Sequence, residues 1–203
     1  VYPSMENLED KLLLKELEYR WTNHKIYVKW MSKFFAYLDR TYLRDGPSNS
    51  LYALGISIFR TEVFDKVKDA TQVAILASIH RDRQGKTINE ALLKSIVDMY
   101  IELGNDNLEL YRSKLHKCIV YETFNYYTQI SAEWPSLYTC SEYLKKGEEA
   151  IAAERNRCQS YLHNITSAAV QNCVAQALFY ARMRELLYKE TSLPYMLEND
   201  LRE

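Results

Sequence analysis

Apolar residues recur at every third or fourth position along most of the chain, and the longest pattern of this kind lies near its beginning. A helix turns about 100° per residue, so residues at this spacing share one face. From Trp21 to Leu43 one such row predicts a buried face. The row consists of Trp21, His24, Val28, Met31, Phe35, Leu38 and Tyr42.

A second row of large aromatic residues lies beside the first. Tyr27, Trp30, Phe34 and Tyr37 follow the same spacing, and the two rows together cover about 200° of the helix surface. An ordinary surface helix buries one stripe about 100° wide. The second row therefore predicts a further neighbour, which is either a helix of the same chain or another protein.

Few turn signals interrupt the helical pattern. Five glycines and four prolines among 203 residues leave little turn chemistry for β-hairpins. The first helix is predicted from Met5 to Leu43, and the turn cluster at residues 45–49 ends it. We expect about seven helices, several of them about 20 residues or longer. The predicted fold class is all-α, an elongated array of long antiparallel helices.

Capping residues mark where later helices begin and end. Thr87 with Glu90, and Thr139 with Glu142, have the three-residue spacing of a capping box. Gly85 is placed to cap the end of the helix that precedes Thr87. These signals predict helix starts at both threonines.

Two further signals delimit the middle of the chain. A helix is predicted to begin near Ser50, and Pro135 is predicted to close another that starts near Asn107. A capped helix then follows. The residues predicted to face the core are Leu108, Tyr111, Leu115, Ile119, Tyr126 and Ile130 before Pro135, and Leu144, Ile151, Cys158 and Leu162 after it.

Composition and charge narrow the classes of partner. With 47% hydrophobic and 26% charged residues the chain has globular composition. Lys and Arg number 26 against 27 Asp and Glu, which gives a net charge of -1. No overall basic field attracts nucleic acid or an anionic membrane, so we expect neither as a partner.

The four cysteines show no metal-site pattern. Cys118, Cys140, Cys158 and Cys173 contain no CxxC pair, and no histidine stands at zinc-finger spacing. We interpret them as reduced thiols of an intracellular protein. The chain has neither a long apolar run nor a signal-peptide pattern, so the expected location is cytoplasmic and nuclear.

The segment HRDRQGKTINE, from His80 to Glu90, has two partial likenesses to enzyme motifs. A kinase catalytic loop needs an asparagine five residues after the aspartate, and Thr87 stands there. A phosphate-binding loop needs a glycine five residues before Gly85, and His80 stands there. We interpret the segment as a charged turn between two helices.

No other cluster predicts catalysis or ligand binding. The four histidines have no partner at i+4, and no Ser-His-Asp or Cys-His arrangement follows from the pattern. The charged run from Lys145 to Arg157 mixes signs at helical spacing and is interpreted as an exposed, self-paired helix face. The sequence predicts no cofactor, no metal and no catalytic residue.

Four stretches, taken in order, resemble the N-terminal region of cullins, the scaffolds of multi-subunit ubiquitin ligases. They lie between about Leu13 and Leu187. Two positions depart from the family pattern, because Leu115 stands where Phe is usual and Gly147 where Ala is common. The stretches are WTNHKIYVKWMSKFFAYLDRTYL, LGISIFRTEVF, IHRDRQGKTINEALLKSIVDMYIELG and EYLKKGEEAIAAERNRCQSYLH.

The resemblance implies a partial cullin. Residues 1–45 would be the last helix of a first repeat, residues 46–165 a second repeat, and residues 166–203 the first helix of a third repeat with a tail. The cullin-homology region that holds the RING subunit and receives the ubiquitin-like modifier is absent from the chain. A RING subunit is therefore expected only through that absent region.

Within the family, the first stretch is most similar to the cullin class of SCF ligases, which binds a Skp-type adaptor carrying an F-box protein. The resemblance implies that the adaptor lies against the first helix. Tyr37 and Arg40 match the tyrosine and arginine that contact adaptors in the family. The expected adaptor-binding residues are Lys33, Tyr37, Arg40 and Arg44.

Three alternatives stay open from the sequence. Instead of a scaffold piece, the chain would then be a truncated cullin-like decoy that competes for adaptor, another rod-like helical protein such as a membrane-tethering subunit, or, least favoured, an enzyme. A separate alternative concerns Tyr37, which would pack against helices of the first repeat that the chain lacks.

Overall fold

Every regular element in the described part of the chain is a helix. In a computed structural model, residues 10–36, 50–104 and 107–188 are described, and the all-α prediction is confirmed for them. Eight α-helices are present among these residues: α1 Asp10–Phe34, α2 Leu51–Phe59, α3 Asp65–Arg83, α4 Glu90–Glu102, α5 Lys117–Leu137, α6 Cys140–Tyr161, α7 Asn164–Ala175 and α8 Met183–Leu187.

Three short π-helical segments interrupt this order. They are π1 Arg60–Phe64, π2 Tyr111–His116 and π3 Gln176–Tyr180. A π-helix bonds each amide to the fifth preceding carbonyl and so accommodates one residue more per turn than an α-helix. Residues after such a segment therefore face a direction that an unbroken 3.6-residue period does not predict.

The chain divides into two compact units, residues 1–115 and residues 116–203. In unit 1, α1 packs against α2, α3 and α4. In unit 2, α7 packs against α5 and α6, and π3 packs against α5 and α7. The predicted repeat boundaries after residues 45 and 165 are not tested by this division and stay predictions.

Three of the predicted helix ends are confirmed. Ser50 is the N-cap of α2, and its side chain accepts from the Ala53 amide at 3.1 Å. Gly85 follows the end of α3 with φ +73°, a left-handed conformation that glycine adopts without a Cβ clash. Thr139 and Glu142 form the complete capping box at the start of α6.

The predicted capping box of Thr87 and Glu90 is wrong. Asn89 is the N-cap of α4, and its side-chain oxygen accepts from the Leu92 amide at 3.1 Å. Asparagine is at least as good an N-cap as threonine. Because Asn89 lies directly before the first turn of α4, its side-chain oxygen reaches the backbone amide of Leu92, which has no acceptor within the helix.

The prediction that Pro135 closes a helix is also wrong, by two residues. Pro135 lies inside α5, which continues to Leu137. Proline removes one backbone donor, but the Tyr138 amide still donates to the Trp134 carbonyl at 3.0 Å. The helix therefore absorbs the proline in its last turn.

The core of unit 1 contains an aromatic cluster between α1 and α2. The Trp21 and Phe59 rings lie 4.9 Å apart, and the His24 ring lies 4.9 Å from Phe59. The His24 Nε2–H donates to the Gly55 carbonyl at 2.8 Å. One face of α1 is thus held to α2 by ring contacts and by one directional hydrogen bond.

Gly55 brings the two helices unusually close. A Cβ built at Gly55 would lie 2.6 Å and 2.7 Å from the two methyl carbons of Val28. Val28 is buried, and its β-branched side chain has one strongly preferred rotamer in a helix. The space beside Gly55 is therefore already filled by a side chain that cannot easily turn away.

The core-facing row of α5 includes small polar residues, which the prediction from apolar content missed. The Thr123 hydroxyl donates to the Ile119 carbonyl at 2.6 Å. With an acceptor inside its own helix, a buried hydroxyl packs as a small core side chain. Tyr126 and Ile130, predicted to face the core, are only half-buried. The buried row is Ile119, Thr123, Tyr127, Ser131 and Pro135.

The core-facing row of α6 also differs from the prediction. Leu144 is exposed, Ile151 is half-buried, and Cys158 alone of the predicted residues in α6 is buried. Gly147 and Glu154 occupy core positions instead. The buried row begins at Tyr143, so it is rotated about the helix axis by about one residue from the predicted row, which began at Leu144. The buried row is Tyr143, Gly147, Glu154, Cys158 and Tyr161.

Glu154 is a buried carboxylate within the run that was interpreted as an exposed face. It accepts from the Tyr127 hydroxyl and from Arg157 Nη1, each at 3.0 Å. Removing a carboxylate from water is unfavourable unless it is paired and hydrogen-bonded. The interpretation of residues 145–157 as wholly exposed is therefore wrong at this position.

Tyr143 connects α6 to π3. Its hydroxyl donates to the Leu178 carbonyl at 2.6 Å, and both residues are buried. Burial raises the pKa of the Tyr143 hydroxyl, and the positive charge of Arg182 opposes this effect. The buried phenol is thus an uncharged donor to a carbonyl of the π-helical turn.

We expect Gly55→Ala to lower the free energy of unfolding by about 1–2 kcal/mol. Overpacking against Val28 outweighs the better helix propensity of alanine. Urea unfolding measures the change. Val28→Ala alone also destabilises, but the double variant should lose less than the sum of the two single losses. If the double variant lost the full sum of the two single losses in free energy of unfolding, the close approach of Gly55 and Val28 would be contradicted.

Tyr143→Phe is expected to lower the free energy of unfolding by about 1–3 kcal/mol, because the buried Leu178 carbonyl loses its donor. The folded protein also keeps the Tyr143 proton where an unfolded tyrosine loses it, so this contribution is lost as the pH rises above about 10. Urea unfolding at about pH 8 and about pH 10.5 measures both effects. If the parent protein and the Tyr143→Phe variant lost the same free energy of unfolding between these two pH values, the pH-dependent contribution of Tyr143 would be contradicted.

Candidate functional site

The second aromatic row of the first helix is exposed to solvent. Tyr27, Trp30 and Phe34 expose 61%, 63% and 81% of their surface. In the part of the chain that the structure describes, no element covers them. Tyr37, the fourth member of the row, lies outside the described residues.

The exposed row extends further back along α1 than the sequence pattern suggested. Leu12, Tyr19 and Ile26 are spaced by seven residues, and each exposes at least half of its surface. At 100° per residue they lie within about 40° of Trp30. A seven-residue repeat of this kind is typical of a helix that packs along another helix. The signal was present in the sequence and was missed because the buried row dominates the periodicity.

The buried row of the same helix is confirmed in its first half. Trp21 and Val28 are buried, whereas Met31 and Phe35, which were predicted to face the core, are half-buried. The remaining members, Leu38 and Tyr42, lie outside the described residues. The core contacts of α1 therefore weaken toward its C-terminal end.

Lys33 is the one predicted adaptor-binding residue that the structure describes. Its ammonium lies 5.1 Å from the centre of the Trp30 ring, and its side chain is exposed. Tyr37, Arg40 and Arg44 lie outside the described residues. Whether the four residues lie together is therefore not tested by the described residues, and their grouping stays a prediction.

Positive charge is concentrated in the second half of the first predicted helix. Residues 25–44 contain five Lys and Arg and one Asp. Lys25, the first residue of this region, is held in place, because its ammonium pairs with the Glu102 carboxylate at 3.0 Å and lies 5.3 Å from the centre of the Trp21 ring. The exposed aromatic row is therefore accompanied by basic side chains.

The described residues contain no arrangement of metal ligands. Within residues 10–36, 50–104 and 107–188, no group of three or more His, Cys, Asp or Glu is placed to hold a metal ion. The motif-like segment from His80 to Glu90 forms the last turn of α3, the turn at Gly85 and the first residue of α4. No described helix has the length and apolar content to cross a membrane.

The cysteines are thiols. None of the four forms a disulfide; Cys158 and Cys173 are buried, and Cys118 and Cys140 are half-buried.

The family profile described as "Cullin alpha solenoid domain" matches residues 2–203. The chain belongs to the cullin family. The first two of the stretches that resembled cullins in the sequence contact each other in unit 1 of this cullin. Trp21 and His24 from the first stretch meet Gly55 and Phe59 from the second.

Curated cullins match nearly the whole chain. "Putative cullin-like protein 2" from Arabidopsis thaliana is 34% identical over 194 residues, which cover 95% of this chain and 52% of that protein. "Cullin-2" from the same species is 33% identical and is matched over 26% of its length. "Cullin-1" from Oryza sativa subsp. japonica is 32% identical over 98% of this chain and 27% of its own length.

This cullin chain therefore spans about half of the first relative and about a quarter of the other two. The relatives carry the names of more than one cullin type. Similarity alone thus assigns the family and its solenoid domain, and leaves the type of adaptor to be proposed.

Trp30→Ala is expected to change the free energy of unfolding by less than about 0.5 kcal/mol, because the side chain is exposed. Trp21→Ala on the opposite face should cost about 3–5 kcal/mol, as for other buried aromatic truncations. Urea unfolding of both variants makes the comparison. A loss above about 2 kcal/mol for Trp30→Ala would show that the second row is part of the core of this chain.

Proposed function

We propose that this cullin segment is a non-catalytic scaffold piece of an SCF-type cullin-RING ubiquitin ligase. It binds a Skp-type adaptor carrying an F-box protein through the exposed aromatic face of α1 and the basic residues that follow. The observation that carries the proposal is the exposure of Tyr27, Trp30 and Phe34 opposite a well-packed face of the same helix.

The composition of the exposed face supports a protein partner. Tryptophan, tyrosine and arginine are the residues most enriched among binding hot spots. Trp30 and Phe34 supply rigid apolar area, and the Lys33 ammonium lies 5.1 Å from the centre of the Trp30 ring. Tyr37 and Arg40 continue the face along the sequence. Such a surface gains affinity from aromatic burial and specificity from the flanking charges.

The geometry of the face supports a partner that presents helices. Leu12, Tyr19 and Ile26 continue the aromatic row at seven-residue spacing. A partner helix laid along this row would pack against it as the two helices of a coiled coil pack against each other. The net positive charge of residues 25–44 further favours an acidic partner surface. Association with such a partner should slow as salt is added.

A second candidate for the same face is additional cullin chain. The matched relatives are two to four times as long as the matched region, and a further helix of the first repeat would bury the aromatic row equally well. The two candidates differ in what they require. An adaptor must be supplied as a separate protein, whereas a helix of the same chain must be added to it.

The scaffold role needs no catalytic residue. Cullins are scaffolds rather than catalysts, and a scaffold acts by fixing the distance between the proteins it holds. The RING subunit is proposed to bind only through the cullin-homology region, which lies outside this chain.

We further propose a cytoplasmic and nuclear location, which a fluorescent fusion of the chain would test by its distribution between the two compartments.

We expect Tyr37→Ala to weaken adaptor binding by about 2 kcal/mol while leaving stability nearly unchanged. An Arg40→Ala change should cost under about 1 kcal/mol if Arg40 makes an exposed ion pair. Calorimetric titration with a purified Skp-type adaptor bound to an F-box protein measures both. Lys145→Ala, at an exposed position in unit 2, is the matched control.

Two further titrations separate the alternatives. A BTB-type adaptor that binds in place of the Skp-type adaptor would assign another cullin type and contradict the SCF proposal. If neither adaptor binds the chain, the titration is repeated with the preceding helices of a matched relative fused before Val1. Absence of Skp-type binding there too would overturn the proposal.

A further inference from the structure

A cavity in unit 1, away from the end of α1 discussed above, is lined by cations from two helices. Its volume is about 190 Å³. Lys11 and Lys15 of α1 and Arg81 of α3 line it, and none of the described residues that line it is acidic. Lys11 and Lys15 are exposed at the surface. In the described part of the chain, neither lysine pairs with a carboxylate.

The interior of this cavity is apolar. Leu14, Leu92 and Leu93 line it and are buried, and Ile88 lines it and is half-buried. A cavity of similar size lined by aliphatic side chains can hold a ring the size of benzene. The space thus suits one large apolar side chain, with cations at its mouth.

Arg81 has hydrogen-bonding capacity that the described residues leave unused. Its Nη2 donates to the Ser78 hydroxyl at 3.0 Å, while its Nε–H is buried without an acceptor. A buried donor without an acceptor is unfavourable. An acceptor on a ligand would meet the positive charge of the Arg81 guanidinium, and it would reach the buried Nε–H only if the side chain turned.

The remaining polar lining lies at the start of α4. Thr87 and Asn89 line the cavity, and Asn89 is the N-cap of that helix. The positive end of the α4 dipole is therefore next to the cavity. This field has the same sign as the charges on Lys11, Lys15 and Arg81.

We propose that this cavity binds an acidic peptide segment of a protein partner, with an apolar side chain inserted among the leucines and neighbouring carboxylates on Lys11, Lys15 and Arg81. A free phosphate ion would gain nothing from the apolar interior. A flat anionic membrane would meet the lysines but would leave the concave interior empty. The combination of a leucine-lined interior and a basic mouth favours a peptide that carries both groups.

The site is separate from the proposed adaptor surface, so either proposal can fail without the other. Lys33, Trp30 and Phe34 lie in the last turns of α1, whereas Lys11 and Lys15 lie in its first turns. Leu12, where the exposed row begins, does not line the cavity. No residue is shared between the two sites.

The test uses the whole 203-residue chain and a short fluorescein-labelled peptide in which leucine alternates with glutamate. Fluorescence anisotropy gives its affinity. Lys11→Glu with Lys15→Glu should weaken binding at least about tenfold by reversing two charges at the mouth. The matched control is Lys114→Glu with Lys145→Glu, two exposed lysines outside the cavity, which should leave the affinity unchanged.

Two altered peptides test the two halves of the ligand. Glutamine in place of glutamate should abolish binding if charge is recognised, and glycine in place of leucine should do the same if the interior is occupied. In isotope-labelled protein, the parent peptide should shift the amide signals of Thr87, Ile88 and Asn89. Thermal melting confirms that each variant is folded.

Several results would overturn the proposal. Equal affinity of the parent chain and the Lys11→Glu, Lys15→Glu variant would do so, as would tight binding of the glutamine peptide. Equal binding of the glycine peptide would show a site for bare anions. Binding to phosphatidylserine vesicles, lost in the same variant and without any peptide binding, would assign the lysines to a membrane surface instead.

Discussion

The close approach of α1 and α2 at Gly55 determines how the first helix is used. Because Gly55 has no Cβ, the Val28 side chain reaches the backbone of α2. The approach also lets His24 donate to the Gly55 carbonyl and lets Trp21 contact Phe59. These contacts fix the rotation of α1 about its own axis. Once that rotation is fixed, Trp30 and Phe34 can point only away from the core, and the aromatic face becomes a property of the fold.

The sequence predicted the parts of the fold that depend on strong local signals. The all-α class, the N-cap at Ser50, the left-handed Gly85 and the Thr139 capping box all follow from residues whose conformational preference is local. The two rows of the first helix were likewise visible, because large aromatic residues at helical spacing are rare on an ordinary surface helix.

The predictions failed where a core position is not apolar. In α5 the row includes Thr123 and Ser131, and in α6 it includes Gly147 and Glu154. Each of these has a tertiary or helical reason to be buried that a hydropathy pattern does not contain. Gly147 faces the Phe179 ring, where a Cβ would collide with it, and Glu154 is satisfied by Tyr127 and Arg157. The cavity at Lys11 was beyond prediction, because its lining comes from three separate parts of the sequence.

The three π-helical segments have a consequence for comparing this cullin with its relatives. A π-helical turn holds one residue more than the α-helical turn it replaces, so a chain shorter by one residue at Arg60–Phe64 would form a regular α-helix there without moving either neighbour far. The same holds at Gln176–Tyr180, provided that Tyr143 finds another acceptor. A deletion of one residue within Arg60–Phe64 or Gln176–Tyr180 is therefore expected to leave the flanking helices in place, because the helix itself absorbs the difference.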